Sequence, residues 1–301
     1  MPDSLPPTPP TPPTPPAALA EIIAHKRDEV ERAKAKVSMS ELEGLVAQAE
    51  PPRNFFAAVR RHMDALHFSI IAEIKRRSPS AGLIRPEYAD IEGREFKPET
   101  IARAYHANGA AAISCLTDER FFGGKLSYIE RVKEAVPLPV LRKDFIIDPW
   151  QLWESRAAGA DAVLLIAECL NESQIVDLLI LSQQLQMTAL LEVHDMENLL
   201  RVRPYVGFPH AGYCLLGINN RDLSSMTVDV AHTLRLADLV EERSSLVSES
   251  GIKTREDLLR LRSVGVRIAL VGEHLMRQPD PGAALSLLTR SGFSEPKPPS
   301  V

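Results

Sequence analysis

The sequence predicts an α/β protein, a (β/α)8 TIM barrel with an N-terminal helical extension. Two observations carry this. Eight short apolar runs alternate with amphipathic helical patterns from residue 67 onward, and glycine recurs where a helix hands over to the next run. An open doubly wound sheet is the alternative, but no Gly-x-Gly-x-x-Gly follows the first run to support it.

Nine of the 24 prolines fall in the first sixteen residues, so residues 1–17 are expected to be an extended, disordered tail that buries nothing. A proline-recognition ligand is the other use of such a segment. Helical spacing begins at 18–37, with Leu19, Ile22, Ile23, Val30 and Ala33 set among charged residues. A second helix is expected over 40–48 with Ser40 as its N-cap, and Asn54 caps a third over 55–63. Together they make an extension over 18–66.

The barrel follows over 67–291. Its strands are expected at 68–74, 111–116, 139–143, 162–166, 188–193, 213–218, 245–249 and 268–271. Helical patterns between them include 97–108, 126–135, 149–158, 172–185, 230–242 and 254–264. Gly109, Gly159 and Gly265 each stand at a helix exit, where the left-handed conformation costs glycine little. Residues 292–301 form a C-terminal tail.

Composition excludes several classes. A 45% hydrophobic share supports a sizeable core, and a net charge of −5 without dominant runs argues against phosphate-driven nucleic-acid binding. No apolar run approaches the roughly 18 residues that span a bilayer, and the N-terminus lacks the pattern of a secretory signal. Cys115, Cys169 and Cys214 lie far apart, with no Cys-x-x-Cys or Cys/His cluster. The expectation is a soluble cytoplasmic protein with no metal, no cofactor and neither nucleic acid nor membrane as partner. A monomer or a weak homodimer is left open.

The polar residues sit where chemistry would need them. Apolar runs end in Glu73 and Lys75, Lys143, Glu192, Asn219 and Glu249, at the strand ends where barrel active sites form. A lone charge there is as often a salt-bridged cap, but six such groups converging on one mouth point to acid/base work. Crowding of this kind lowers a lysine toward ~7–8 or raises a glutamate toward ~6–7. Gly251 after the seventh strand and Gly272 after the eighth let backbone N–H groups approach an anion, so a phosphate site is expected there. The competing reading is that each glycine only makes a tight turn.

Several runs carry a family likeness. They are Glu73-Ile74-Lys75-Arg76-Arg77-Ser78-Pro79-Ser80, Leu116-Thr117-Asp118 with Phe122-Gly123-Gly124, and Arg142-Lys143-Asp144-Phe145. Leu191-Glu192-Val193, Gly217-Ile218-Asn219-Asn220-Arg221-Asp222-Leu223, Ser248-Glu249-Ser250-Gly251-Ile252 and Val271-Gly272-Glu273 follow in order. In these the chain resembles the indole-3-glycerol phosphate synthases over roughly residues 20 to 290. The resemblance implies that 1-(2-carboxyphenylamino)-1-deoxyribulose 5-phosphate, a small phosphorylated substrate, closes to an indole with loss of CO2 and water. That reaction is a carboxy-lyase step of tryptophan biosynthesis.

The resemblance also implies roles. Lys143 is the general acid, Glu73 and Glu192 are acid/base carboxylates, and Glu249 matches the family's glutamate at the end of strand seven. Lys75 and Ser78 grip the carboxylate or phosphate, and Asn219 with Arg221 orients the anthranilate part. Ser250, Gly251 and Gly272 hold the phosphate. Glu273 stands where serine is expected and should turn away from that phosphate. Leu83 and Ile84 are expected to cover the aromatic ring, with Gly82 in a mobile lid, and His194 and His274 are read as structural. Phe55, Phe56 and Met63 are expected to supply apolar area across one end of the barrel. Two other readings stand beside this one. A sister phosphate-binding isomerase would not need Glu73, Lys75, Lys143 and Glu192 together, and a barrel that only binds would lose at least one of them.

Overall fold

The structure is a computed structural model that describes residues 17–61, 68–91 and 95–290. The expected N-terminal tail apart from Ala17, the whole expected C-terminal tail and Met63 lie outside the described residues.

Eight parallel strands close on themselves: β1 Ser69–Ile74, β2 Ala112–Leu116, β3 Val140–Lys143, β4 Ala162–Ile166, β5 Thr188–Val193, β6 Cys214–Asn219, β7 Leu246–Glu249 and β8 Ile268–Val271. Closure is made by β1, which pairs with β8 through Ser69 and Ile268 and with β2 through Ile71 and Ala112. Period-two alternation sends one set of side chains inward and the other outward. Ile71, Ala112, Leu141, Leu190, Leu215 and Val247 fill the interior. Ile70, Ala72, Ile113, Val163 and Leu191 face the helices in a second, larger apolar layer. Both faces of every strand are therefore buried, which is why the runs read as continuously apolar.

Among the described residues twelve α-helices accompany the strands: α1 Ala17–Lys34, α2 Met39–Gln48, α3 Phe55–Arg60, α4 Pro98–Ala107, α5 Tyr128–Ala135, α6 Pro149–Ala157, α7 Glu172–Gln184, α8 Met196–Val202, α9 Ala231–Leu236, α10 Arg255–Ser263, α11 Glu273–Met276 and α12 Pro281–Thr289. Gly109, Gly159 and Gly265 do leave α4, α6 and α10 in the left-handed region, with φ of +87°, +86° and +84°. Asn54 caps α3 by accepting the Ala57 N–H. Ser40 is not the cap of α2. Ser38 is, in a capping box with Glu41, and this earlier start extends the helix. The single helix expected over 230–242 ends at Leu236, where the chain tightens into a 3-10 turn over Ala237–Leu239. Two helices outside the patterns named from the sequence, α8 and α12, are each opened by an aspartate cap, Asp195 and Asp280.

The extension divides its work between the two ends of the barrel. Phe55 and Val59 of α3 are fully buried among the interior apolar residues, and Arg60 bonds Ser244 just before β7, so α3 plugs the amino end of the strands. Helix α1 instead lies at the opposite end, where Leu19 and Ile22 reach the cavity in the mouth. Its Lys26 is only 1% exposed and its Nζ lies 2.9 Å from Asp144, 3.1 Å from Asp118 and 3.0 Å from Glu29.

Candidate active site

In five of the eight strands the inward row changes from apolar to polar at its carboxyl end. Glu73, Lys143, Glu192, Asn219 and Glu249 are the last inward positions of β1, β3, β5, β6 and β7, and Lys75 follows β1 by one residue. Lys143 Nζ stands 2.5 Å from Glu192 Oε2 and 2.8 Å from Glu249 Oε2. Asn219 Nδ2 donates to Glu192 Oε1 at 3.3 Å. A second pair, Lys75 Nζ with Glu73 Oε1 at 2.6 Å, occupies another part of the same mouth.

Two glycines make room for these carboxylates. A Cβ at Gly217 would lie 2.2 Å from Glu249 Oε1, and one at Gly272 would lie 2.2 Å from Glu73 Oε1. Gly272 has a negative φ, so the demand at this position is space rather than backbone freedom. The steric need that Gly272 meets in this structure is the close approach of Glu73, a reason that the anion reading of the sequence did not contain.

Electrostatics corrects one expectation. Burial alone would push the Lys143 ammonium down, but the carboxylates of Glu192, Glu249 and Glu73 outweigh it and hold the lysine charged well above its ordinary range. Lys143 is therefore not a lysine lowered toward neutrality. For Glu192 burial acts upward, yet Lys143 and His194 bring its pKa down to about 2. Glu249 goes the other way. Burial and the neighbouring Glu192 charge raise it well above the usual carboxylate range, so the proton of the cluster rests on Glu249.

A stability prediction follows from the sign of that shift. A raised folded pKa means that the contribution of Glu249 is fully present below the unfolded value of about 4.5 and is lost as pH rises through the folded pKa. Its Oε1 also finds no hydrogen-bond partner among the described residues. Glu249→Gln is therefore expected to melt higher than the wild type at pH 8, by roughly 2–4 °C per kcal/mol recovered. The gain should vanish near pH 4.5, as calorimetry at the two pH values would show. An equal or lower melting temperature at pH 8 would place the proton elsewhere.

The mouth opens into a cavity of about 690 Å³ that contains all eleven side chains and glycines singled out from the sequence. Ser78 is buried and its Oγ accepts the Ala81 N–H, closing the turn of a short hairpin between Arg77–Ser78 and Gly82–Leu83. Ser250 and Gly251 take successive positive φ values of +68° and +83°. A Cβ on Gly251 would strike Val228 Cγ1 at 2.5 Å. Lys75, Arg221, Lys253 and Arg277 all border the cavity. Glu273 lies on the wall too, held by Arg277 at 2.8 Å and facing Arg221 at 3.8 Å.

Leu83 and Ile84 do not cover this space. Leu83 is exposed, Ile84 is buried in the layer between strands and helices, and neither borders the cavity. Its apolar wall comes from Leu19 and Ile22 of α1 with Phe122 and Phe145. Other residues were not legible as site residues. Asn220 ties the loop after β7 by donating to Ser248 Oγ and Ser250 O while accepting from Thr233. Lys26 fixes the wall helix. His194, read as structural, touches Glu192 at 3.3 Å. Among the described residues no group of three His, Cys, Asp or Glu side chains is placed to hold a metal ion.

A (β/α)8 barrel with paired lysines and carboxylates at the carboxyl ends of its strands defines an acid/base enzyme of the barrel class. The family model described as indole-3-glycerol phosphate synthase matches residues 19–288. The indole-3-glycerol phosphate synthase of Acidithiobacillus ferrooxidans is 46% identical over 270 residues, covering 90% of this chain and 97% of the relative. That of Rhodospirillum rubrum is 43% identical, covering 90% and 98%. The chain belongs to the indole-3-glycerol phosphate synthase family. Solved structures at low identity agree on the fold. 3-Hexulose-6-phosphate synthase from Salmonella typhimurium aligns with a TM-score of 0.55 at 12% identity, covering 73% of this chain and 96% of that one. Tryptophan synthase from M. tuberculosis gives 0.52 at 13%, covering 79% and 98%.

Proposed function

We propose that this protein converts 1-(2-carboxyphenylamino)-1-deoxyribulose 5-phosphate to indole-3-glycerol phosphate, using its two lysine–carboxylate pairs for the two halves of the reaction. The single observation that carries this is the presence of both pairs, Lys143 with Glu192 and Lys75 with Glu73, in one cavity.

Ring closure joins the aromatic carbon that bears the carboxylate to the ketone carbon, and the ketone oxygen gains a proton. CO2 then leaves, its bonding pair restoring the benzene ring. Dehydration removes the new hydroxyl as water with an added proton, while a base takes a proton from the neighbouring methylene carbon. Each half thus needs a proton donor near an oxygen. Lys143, held charged, donates to the ketone oxygen and stabilises the negative charge that gathers there. Lys75 donates to the departing hydroxyl and Glu73 takes the methylene proton. Asn219 and Arg221 orient the anthranilate part, and the apolar wall of α1, Phe122 and Phe145 faces its ring. Ser78, Ser250, Gly251 and Gly272 border the place for the phosphate, with Lys75, Arg221 and Arg277 offsetting the nearby Glu273. Bringing the reacting carbons together in a closed site supplies further rate through orientation. The setting we propose is the cytoplasm, with the chain acting as a monomer or a weak homodimer.

Mixing the purified protein with this substrate in the presence of EDTA and following indole fluorescence tests the reading. The expected result is a catalytic rise in signal. A folded sample that binds the substrate without turning it over would favour a barrel that only binds, and the absence of binding would favour a sister enzyme.

A further inference from the structure

His194 stands two residues beyond Glu192, just past the end of β5, and its ring lies between two carboxylates. Its Nδ1 is 3.2 Å from Glu168 Oε2 and its Nε2 is 3.3 Å from Glu192 Oε1. The backbone is held as well, since the His194 N–H donates to Glu168 Oε1 at 2.8 Å and His232 Nε2 lies 2.9 Å from the His194 carbonyl oxygen. Glu168, from the 3-10 turn after β4, is 6% exposed and borders a different cavity from the one that holds Glu192.

An ionised carboxylate only accepts hydrogen bonds. A neutral imidazole has one donor and one acceptor, so between two carboxylates one ring nitrogen would face a lone pair. Only the imidazolium, with a proton on each nitrogen, satisfies both contacts. Charge balance across the cluster agrees. Lys75, Lys143 and an imidazolium at His194 offset Glu73, Glu192 and Glu168, leaving Glu249 as the carboxyl that keeps its proton.

Building on the function proposed above, we propose that His194 is a positioning residue that, as an imidazolium braced by Glu168, fixes the orientation of the Glu192 carboxylate toward Lys143. Glu192 is then gripped on both oxygens, by Lys143 on Oε2 and by Asn219 and His194 on Oε1. The charged or titratable groups that bear on His194 are Glu168 after β4, Glu192 on β5, Lys143 on β3 and His232 on α9. Burial opposes the protonated ring, as does Lys143, and the two glutamates outweigh them.

The test uses the full-length protein and two variants, His194→Asn and Glu168→Gln. Nitrogen-15 NMR of the wild type, with the His194 signal assigned by its loss in His194→Asn, is expected to show both ring nitrogens protonated at pH 7. In Glu168→Gln the same ring should titrate at a lower pH. In turnover, His194→Asn is expected to lose at least tenfold in kcat with KM within threefold, and the acid limb of its pH profile should move up by a unit or more. Glu168→Gln should shift that limb in the same direction and keeps the test open if His194→Asn does not fold. A neutral His194 at pH 7, or variants whose pH profiles match the wild type and which lose only thermal stability, would overturn the proposal. A wild type that shows the imidazolium but never turns over the substrate would sink the functional reading and leave the imidazolium assignment standing.

Discussion

Lys143→Met is expected to lower turnover at least about a hundredfold, the contribution of a positioned general acid, while the protein still folds. Methionine fills much of the same volume but offers no proton and no positive charge to the ketone oxygen. Removing one member of a buried ion pair ordinarily costs about 3–5 kcal/mol because the partner is stranded. Here the stranded charge has an exit. Glu249 already keeps its proton, and Glu192, freed from the lysine that holds it at about 2, can take one as well. Relative to the wild type the variant should thus be penalised most at high pH, where Glu192 and Glu249 must both ionise without the lysine between them, and least near pH 4. Turnover and melting temperature measured across pH check both parts. A variant that retains turnover within tenfold of the wild type would remove Lys143 from the acid role.

Lys26→Met is expected to cost about 3–5 kcal/mol of stability and to impair turnover from a distance. Lys26 is the cation that α1 drives into the loops after β2 and β3, and without it Asp118 loses its only cationic partner among the described residues. The Asp118 Oδ2 contact at 3.1 Å is an ion pair rather than a well-directed hydrogen bond, since that oxygen counts as unpartnered by hydrogen-bond geometry. Its Oδ1 accepts the N–H groups of Phe121 and Phe122. Asp144 would keep Arg142 and Thr117, so part of the network survives. The loosened element is the helix that places Leu19 and Ile22 on the cavity wall, so KM should rise together with the loss of stability. Denaturant unfolding of the variant measures the first effect and initial-rate kinetics the second. Unfolding within about 1 kcal/mol of the wild type would show that the desolvation cost of Lys26 cancels its ion pairs.

Much of this site was legible because a barrel strand writes its geometry into the sequence. Ala-Glu-Ile-Lys at the end of β1 and Leu-Arg-Lys at the end of β3 break an apolar run at an inward position, and the structure brings those side chains together. Lys26 was hidden for the opposite reason. On an amphipathic helix a lysine among glutamates reads as a solvated face, and only the docking of α1 against the loops after β2 and β3 buries it. His194 and Glu168 follow the neighbouring strands β5 and β4 but lie 26 residues apart in sequence, so their contact has no local signature. The caps of α2 show a different limit. Ser38 with Glu41 and Ser40 with Glu43 both satisfy the capping spacing, and the choice between them lies in how the helix packs. Ile84 was misplaced because an apolar residue in a loop near a site covers a ligand or joins the core with equal ease, and here it joins the core.

The most direct measurement of the central claim separates the two halves of the reaction. CO2 release and indole fluorescence would be followed in parallel for the wild type and for Glu73→Gln, from the same substrate. The wild type should produce the two in equal amounts. In a single turnover with enzyme in excess over substrate, and with Glu73 unable to take the methylene proton from the bound intermediate, CO2 release should stay within about tenfold of the wild type while indole formation falls at least about a hundredfold. If both signals fell together, Glu73 and Lys75 would not be a separate dehydration pair, and the division of labour argued from the two ion pairs would be wrong.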